Sequence, residues 1–250
     1  ANASFVRHVE PPQIKNIGQE YGIPVFQYEK LRQDVFEREV PEADVYVTAS
    51  YGLFLPPWLI AIPSRGVLNV HPSLLPKYRG SAPIQSAIAA GDHSTGVTIM
   101  LTDAEMDHGP ILLQESVEIL PEESAVELEQ KLADAGGKLL VRAVSAWFQG
   151  EIVPRAQDHA QATRTSLLSK EDGRVRWSSK TRDIINRFRA YIAWPGSWTT
   201  CRRDEKEIRI KILDMRATDI PVGAKTPGSA IVEDGQLLVA SEDYFICIVT

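Results

Sequence analysis

Cysteine is scarce in this 250-residue chain: only Cys201 and Cys247 are present, far apart and outside any CxxC spacing. That excludes a disulfide framework and a thiolate zinc site, and it makes a reducing, cytosolic setting the default. Long apolar runs are missing too. No stretch approaches the roughly 18–20 residues a membrane-spanning helix needs, and residues 1–8 lack the apolar segment of a signal peptide. His8, His93, His108 and His159 show no HxxxH or HxxE spacing, so no metal is expected. Neither GxGxxG nor GxxxxGK[ST] occurs, so a nicotinamide or nucleoside-triphosphate site has no support. There is no internal repeat and no low-complexity segment.

What is present is ordinary globular composition, 44% hydrophobic and 24% charged, in enough length for one large or two modest domains. The net charge of −6 is unevenly spread. Residues 1–159 hold 12 Lys and Arg against 21 Asp and Glu; residues 160–250 hold 15 against 12. A mildly basic C-terminal part can face a polyanion, and solvated charge accounts for the same imbalance.

Helical and extended segments alternate through the first part. Helices are expected over Pro11–Tyr21, Leu31–Val40 and Pro83–Ala90, the last opened near Ser81 and closed by Gly91. Ile23–Phe26 reads as a short strand, Asp44–Ser50 as a buried strand, and Leu68–His71 as a strand end. Gly96–Thr102 and Ile111–Ile119 read as strands from their β-branched, apolar content. The clearest helix starts at Ser124-Ala-Val-Glu127, a capping box, and continues through Leu128, Leu132, Ala135, Leu139, Ala143 and Trp147. Gly136-Gly137 interrupts it, at a cost of roughly 1 kcal/mol per glycine, which close approach to a neighbouring element would explain. This alternation predicts a Rossmann-like, mainly parallel α/β sheet, with ligands bound beyond the carboxyl ends of its strands. Residues 150–166 are polar and aperiodic, a linker. After them come a helix over Thr181–Tyr191 and five short strands separated by Gly, Pro and Asp-Gly turns, predicting a small β-barrel, OB-like domain. The expected organisation is therefore residues 1–149, a linker over 150–166, and residues 167–250.

Two stretches carry chemistry. Residues 69–76 read Asn-Val-His-Pro-Ser-Leu-Leu-Pro, and residues 105–112 read Glu-Met-Asp-His-Gly-Pro-Ile-Leu. Residues two apart on an extended segment share a face, so Asn69 and His71 aim into one pocket at a strand end. Asp107 supplies a carboxylate from a Gly-Pro-bounded loop. Amide, imidazole and carboxylate together suit transfer of a group through a charged tetrahedral state.

The first of these strings resembles the formyltransferases that use 10-formyltetrahydrofolate. Residues 77–85 (Lys-Tyr-Arg-Gly-Ser-Ala-Pro-Ile-Gln), 96–100 (Gly-Val-Thr-Ile-Met), 106–110 (Met-Asp-His-Gly-Pro) and 193–198 (Ala-Trp-Pro-Gly-Ser-Trp) narrow the likeness to the branch acting on methionyl-tRNA. The resemblance implies a catalytic trio of Asn69, His71 and Asp107. It also implies a folate pocket shaped by Ser73, Leu74, Leu75 and Pro76 and lined on the pterin side by Tyr51, Gly52 and Leu53. Arg79 is expected either to meet substrate phosphate or to cap its loop. Arg182 and Arg189 are expected either to meet tRNA phosphates or to form a solvated face, and Trp194 and Trp198 read better as core residues than as RNA-stacking ones. The implied partners are the folate co-substrate and initiator methionyl-tRNA, with no metal and no membrane, for a monomer in the bacterial-type cytoplasm or an organellar matrix. Family members open with a strand, a Gly-Thr-Pro turn, a helix and a second strand. This chain starts at Ala1 without them and stops at Thr250, so it is expected to be a fragment trimmed at both ends. The rivals are a formyltransferase for a small amine, such as a nucleotide sugar or glycinamide ribonucleotide, and a non-catalytic folate- or RNA-binding relative. Residues 166–250 argue against the glycinamide enzymes, and the complete trio argues against a dead relative.

Overall fold

A computed structural model of the chain describes residues 13–52 and 54–249 and falls into two units, Ala1–Ala43 and Asp44–Thr250. In the first unit, α1 (Gln13–Glu20) and α2 (Gln33–Glu39) occupy the two stretches expected to be helical. Pro11, the expected helix start, lies outside the described residues. The segment Ile23–Phe26 pairs in no ladder, contrary to the sequence reading. The chain reverses at Gly22 (φ 65°). The Ile23 N–H then donates to the Gly18 carbonyl at 2.7 Å, and Val25 packs so closely on Gly18 that a Cβ there would stand 2.8 Å from it. These four residues cap α1 instead of extending a sheet.

The second unit opens with β1 (Tyr46–Ala49), α3 (Pro57–Ile60), β2 (Val67–His71), β3 (Arg79–Gly80), α4 (Pro83–Ala90), β4 (Ser94–Leu101), β5 (Ile111–Glu118) and α5 (Ala125–Gln149). Four of these strands form a sheet in the order β1-β2-β4-β5. The parallel pairing expected from the sequence is β1–β2, joined by the α3 crossover. Contrary to a mainly parallel sheet, β2–β4 and β4–β5 run antiparallel. For β4 and β5 the reason is the short connection over residues 102–110; a parallel neighbour needs a crossover of about a dozen residues or more. The segment read as a buried strand, β1, is an edge of this sheet among the described residues, with Val47 42% exposed.

Leu68, Val97, Ile99, Leu128, Leu132 and Leu139 meet in the main core between the sheet and α5. The capping box at Ser124 forms as the sequence predicts, with Ser124 and Glu127 exchanging bonds. Gly136 explains itself: a Cβ there would lie 3.2 Å from Val70 and 3.4 Å from Val97, so the glycine lets α5 settle onto β2 and β4. Gly137 faces open space. At α4 the N-cap is Ala82 rather than a residue near Ser81 with a capping side chain, and Gly91 closes the helix in the left-handed region.

Residues 150–166 are irregular but not a free tether. Arg155 bridges to Ile111, and β6 (Arg164–Thr165) pairs in parallel with β3. Beyond them lie α6 (Thr181–Tyr191), β7 (Ser197–Arg203), β8 (Lys206–Ile212), β9 (Met215–Pro221), β10 (Ala230–Glu233), β11 (Gln236–Ala240) and β12 (Tyr244–Ile248). The described pairings here are a four-stranded antiparallel sheet, β10-β11-β12-β9, and a separate β7–β8 hairpin. Strand β9 was not legible: its Arg216, Asp219 and Pro221 break the apolar alternation.

Candidate active site

The carboxyl end of β2 sits beside β1 and β4, and its last residues carry the site. Asn69 and His71 point the same way, as their two-residue spacing requires. The β1–β2 register sets Thr48 directly opposite Asn69, and the Thr48 hydroxyl donates to Asn69 Oδ1 at 2.9 Å. That bond fixes the amide orientation: Asn69 Nδ2 faces Asp107 and donates to its Oδ1 at 3.3 Å. Asp107 Oδ2 accepts the backbone N–H of Gly80 at 2.8 Å.

His71 is 4% exposed. Its Nε2 lies 2.9 Å from the Tyr78 carbonyl, which can only accept, so Nε2 carries a proton. The other nitrogen, Nδ1, lies 3.6 Å from Asp107 Oδ1 and is the atom left for chemistry. Tyr78 is itself anchored, its hydroxyl donating to Asp92 at 2.8 Å. Burial, and then the Asp92 carboxylate, push that phenol well above its ordinary range. Asp107 has φ 51°, a left-handed backbone that few non-glycine residues adopt and that neighbouring structure must hold.

A cleft of about 610 Å³ opens over these groups, bordered by Thr48, Tyr51, Gly52, Asn69, His71 and Asp107 among others. The volume suits a small organic ligand. Asp103, Glu105, Asp107 and Glu129 also border it, and no Lys or Arg does among the described residues.

The structure brings together Asn69, His71 and Asp107, and sets Tyr51 and Gly52 on the rim of the same cleft. Leu53 lies outside the described residues. Ser73, Leu74, Leu75 and Pro76, expected to shape the folate pocket, stand behind the residues that border this cleft. The Ser73 hydroxyl turns back to the Lys77 carbonyl at 2.6 Å, and Leu75 packs with Met100 and Ile111. This loop is an apolar plug behind the site, and its leading Pro72 is what reaches the cleft.

Arg79 is 3% exposed. Its guanidinium donates to Gln157 Oε1 from Nε at 3.1 Å and from Nη2 at 2.7 Å, and Nη2 also meets His159 Nδ1 at 2.8 Å. Of the two expected roles, the structure gives it the internal one. Arg189 is likewise occupied internally: it donates to the carbonyls of Leu120 and Glu123 and to Asn186. Burial pulls its guanidinium below the ordinary value against the opposing influence of Glu122 and Glu123. Arg182 is exposed and paired with its neighbour Asp183, so the two arginines do not present one common free surface. Trp198 is buried, as expected, with Arg209 stacked 3.8 Å from its ring centre. Trp194 is half exposed.

Sequence reasoning missed Thr48, the Gly80 amide, the Tyr78 carbonyl and Gln157. The first three act through register or backbone atoms, which residue type does not reveal. Gln157 sits in the polar stretch read as a linker.

A strand-end trio of amide, imidazole and carboxylate over a small-molecule cleft defines a group-transfer enzyme. The chain belongs to the formyl transferase family: residues 15–144 match the family's formyl transferase model and residues 167–250 its C-terminal domain. It is 40% identical over 235 residues to the methionyl-tRNA formyltransferase of Chloroflexus aurantiacus, covering 92% of this chain and 76% of that one. It is 41% identical over 244 residues to the methionyl-tRNA formyltransferase of Deinococcus radiodurans, covering 96% and 74%. The fold is similar to that of WlaRD, a sugar 3N-formyl transferase solved in the presence of dTDP and 5-N-formyl-THF, with TM-score 0.70 at 15% identity over 94% and 80% of the two chains.

Proposed function

We propose that this protein transfers a formyl group from 10-formyltetrahydrofolate to the α-amine of methionine on initiator tRNA. The observation that carries the reading is His71 Nδ1, held free at the cleft by the Nε2–carbonyl bond and placed 3.6 Å from the Asp107 carboxylate. The named relatives at about 40% identity support methionyl-tRNA as the acceptor.

His71 Nδ1 takes the proton that the attacking amine must lose as its nitrogen bonds to the formyl carbon. As the carbonyl electron pair moves onto oxygen, Asn69 Nδ2 offers its second N–H to the developing oxyanion. Asp107 stabilises the imidazolium formed at His71. His71 then returns the proton to the departing folate nitrogen as the old carbon–nitrogen bond breaks and the carbonyl re-forms. One nitrogen thus serves as base and then acid.

The cleft border favours an amine over a nucleotide diphosphate. Its carboxylates suit an ammonium group, and no described Lys or Arg stands there to meet a pyrophosphate. In this reading residues 1–149 carry the chemistry and residues 167–250 contact tRNA, joined through 150–166. Arg209 and Lys211, two apart on one exposed face of β8, offer cations to phosphates. The protein acts as a monomer, in the cytoplasm or an organellar matrix, where translation begins.

The test is an assay of the purified protein with 10-formyltetrahydrofolate and either methionyl-initiator tRNA or a nucleotide amino sugar. Formyl-methionyl-tRNA is the expected product, with tRNA binding that weakens steeply as salt rises. Formylation of the sugar alone, or a flat salt response, sinks the tRNA assignment.

A further inference from the structure

We infer that Gln157 is a positioning residue for Asp107. The inference rests on the formyl-transfer reading for its consequence, though not for its geometry. Gln157 is 5% exposed and comes from residues 150–166, far in sequence from the strand that carries the catalytic imidazole. Its amide nitrogen donates to the carbonyl of Asp107 at 2.9 Å and to the carbonyl of Gly109 at 2.8 Å. Its amide oxygen accepts twice from Arg79, at 3.1 and 2.7 Å. Two donors and two lone pairs are the full hydrogen-bonding capacity of a glutamine side chain, and all are used. The orientation of the amide follows from its partners, since carbonyls can only accept and a guanidinium can only donate.

These bonds close a ring around the catalytic carboxylate. Gln157 holds the backbone of Asp107. The same Gln157 holds Arg79, and the next residue, Gly80, donates its N–H to Asp107 Oδ2 at 2.8 Å. The loop is also clasped on its far side. His108 donates through Nδ1 to the Asp103 carboxylate at 2.7 Å, and its ring stacks on His159 with centres 4.0 Å apart. His159 in turn accepts from Arg79. The left-handed φ of 51° at Asp107 persists only where surroundings over-determine it, and the Gln157 clamp on its own carbonyl is such a constraint. Among the described residues, the side-chain hydrogen bonds of Gln157 meet the cleft border only at the main chain of Asp107, so it acts through that residue.

Gln157→Glu separates this role from simple burial of Arg79. A carboxylate at 157 keeps, and strengthens, the contact to the guanidinium, but it cannot donate to the carbonyls of Asp107 and Gly109. Backbone exchange gives a readout independent of activity. In Gln157→Glu the Gly80 amide, which bonds to the Asp107 carboxylate, should exchange about tenfold faster or more. The Arg79 amide, which bonds to the Thr163 carbonyl at 2.9 Å, should keep its protection. Turnover should fall by about 10–100-fold, as for a misplacement of order 1 Å, with KM for both substrates little changed and the pH profile of kcat displaced. Gln157→Ala should lose turnover to a similar degree and melt earlier as well. Unchanged Gly80 exchange in Gln157→Glu overturns the inference, and so does lost protection with a wild-type kcat and pH profile. A wild-type protein that formylates no acceptor sinks the proposed function instead, while Gly80 exchange still decides whether Gln157 holds Asp107.

Discussion

His71 donates through Nε2 to the main-chain carbonyl of Tyr78 at 2.9 Å, and in the proposed reaction this contact leaves Nδ1 as the nitrogen that moves the proton. With Nε2 committed, Nδ1 faces Asp107 and the cleft. His71→Ala removes the only described imidazole on the cleft border. We expect kcat to fall by about a hundredfold or more, the lower end for a proton-transferring group, with the fold kept. Steady-state formylation rates beside a melting curve check this. A rate near that of the unaltered protein removes His71 from the mechanism.

Asp107 accepts from two donors, Asn69 Nδ2 and the Gly80 N–H, and only a carboxylate offers an acceptor to both. Asp107→Asn turns one oxygen into an NH2 group that must oppose one of these donors, at a cost of about 1–3 kcal/mol for the unpaired buried group. Asparagine tolerates the left-handed backbone at this position, so the variant should fold. Turnover should drop by about a hundredfold or more while the melting temperature shifts by only a few degrees. Full activity in Asp107→Asn means that the negative charge beside His71 is not needed.

The trio was legible because residue type, two-residue spacing and a Gly-Pro-bounded loop are all written in sequence. What holds the trio was not. The Gly80 amide and the Tyr78 carbonyl belong to the main chain, and Thr48 reaches Asn69 only because β1 and β2 pair in one register. Gln157 looked like linker because burial of a single glutamine leaves no periodic trace. The orientation of the Ser73–Pro76 loop was not legible either. Its residues carry the resemblance, yet Leu75 and Ser73 turn inward, and packing decides which way a loop side chain points. Helix α5 was readable from cap to cap because its periodicity spans seven turns. Strand β9 was not, and Ile23–Phe26 read as a strand although it caps α1, since four to seven residues hold too few apolar positions to fix a period.

Two adjacent glycines in α5 should respond to substitution with opposite signs. Gly136 lies against β2 and β4, where even a Cβ would stand 3.2 Å from Val70. Gly136→Val should therefore force the helix off the sheet and destabilise the fold by about 1–3 kcal/mol. Because Val70 lies between Asn69 and His71, activity should fall with it. Gly137 meets nothing within 4 Å. Gly137→Ala should stabilise by up to about 1 kcal/mol, the helix-propensity difference. Denaturant midpoints for the two variants check the pair, and a shift of the same sign in both contradicts the packing described for α5.

Asp243 ties the start of α6 to the turn before β12 and should make this part of the fold sensitive to acid. Burial raises its carboxyl pKa, but bonds from the Thr181 N–H, the Thr181 hydroxyl, the Ser241 hydroxyl and the Tyr244 N–H outweigh that effect and bring it to about 2. The folded value lies below the unfolded one of about 3.9, so the unfolded chain binds the proton more readily. The stabilisation is therefore fully present above about pH 5 and drains away as pH falls toward 2. Asp243→Asn cannot lose a charge it does not have. Its melting temperature should lie below that of the unaltered protein at pH 7, and the gap should narrow steadily between about pH 5 and pH 2 as the native carboxylate takes up its proton. A gap that stays constant across that range would show that Asp243 acts by shape and hydrogen-bond count alone, with no contribution from its ionisation.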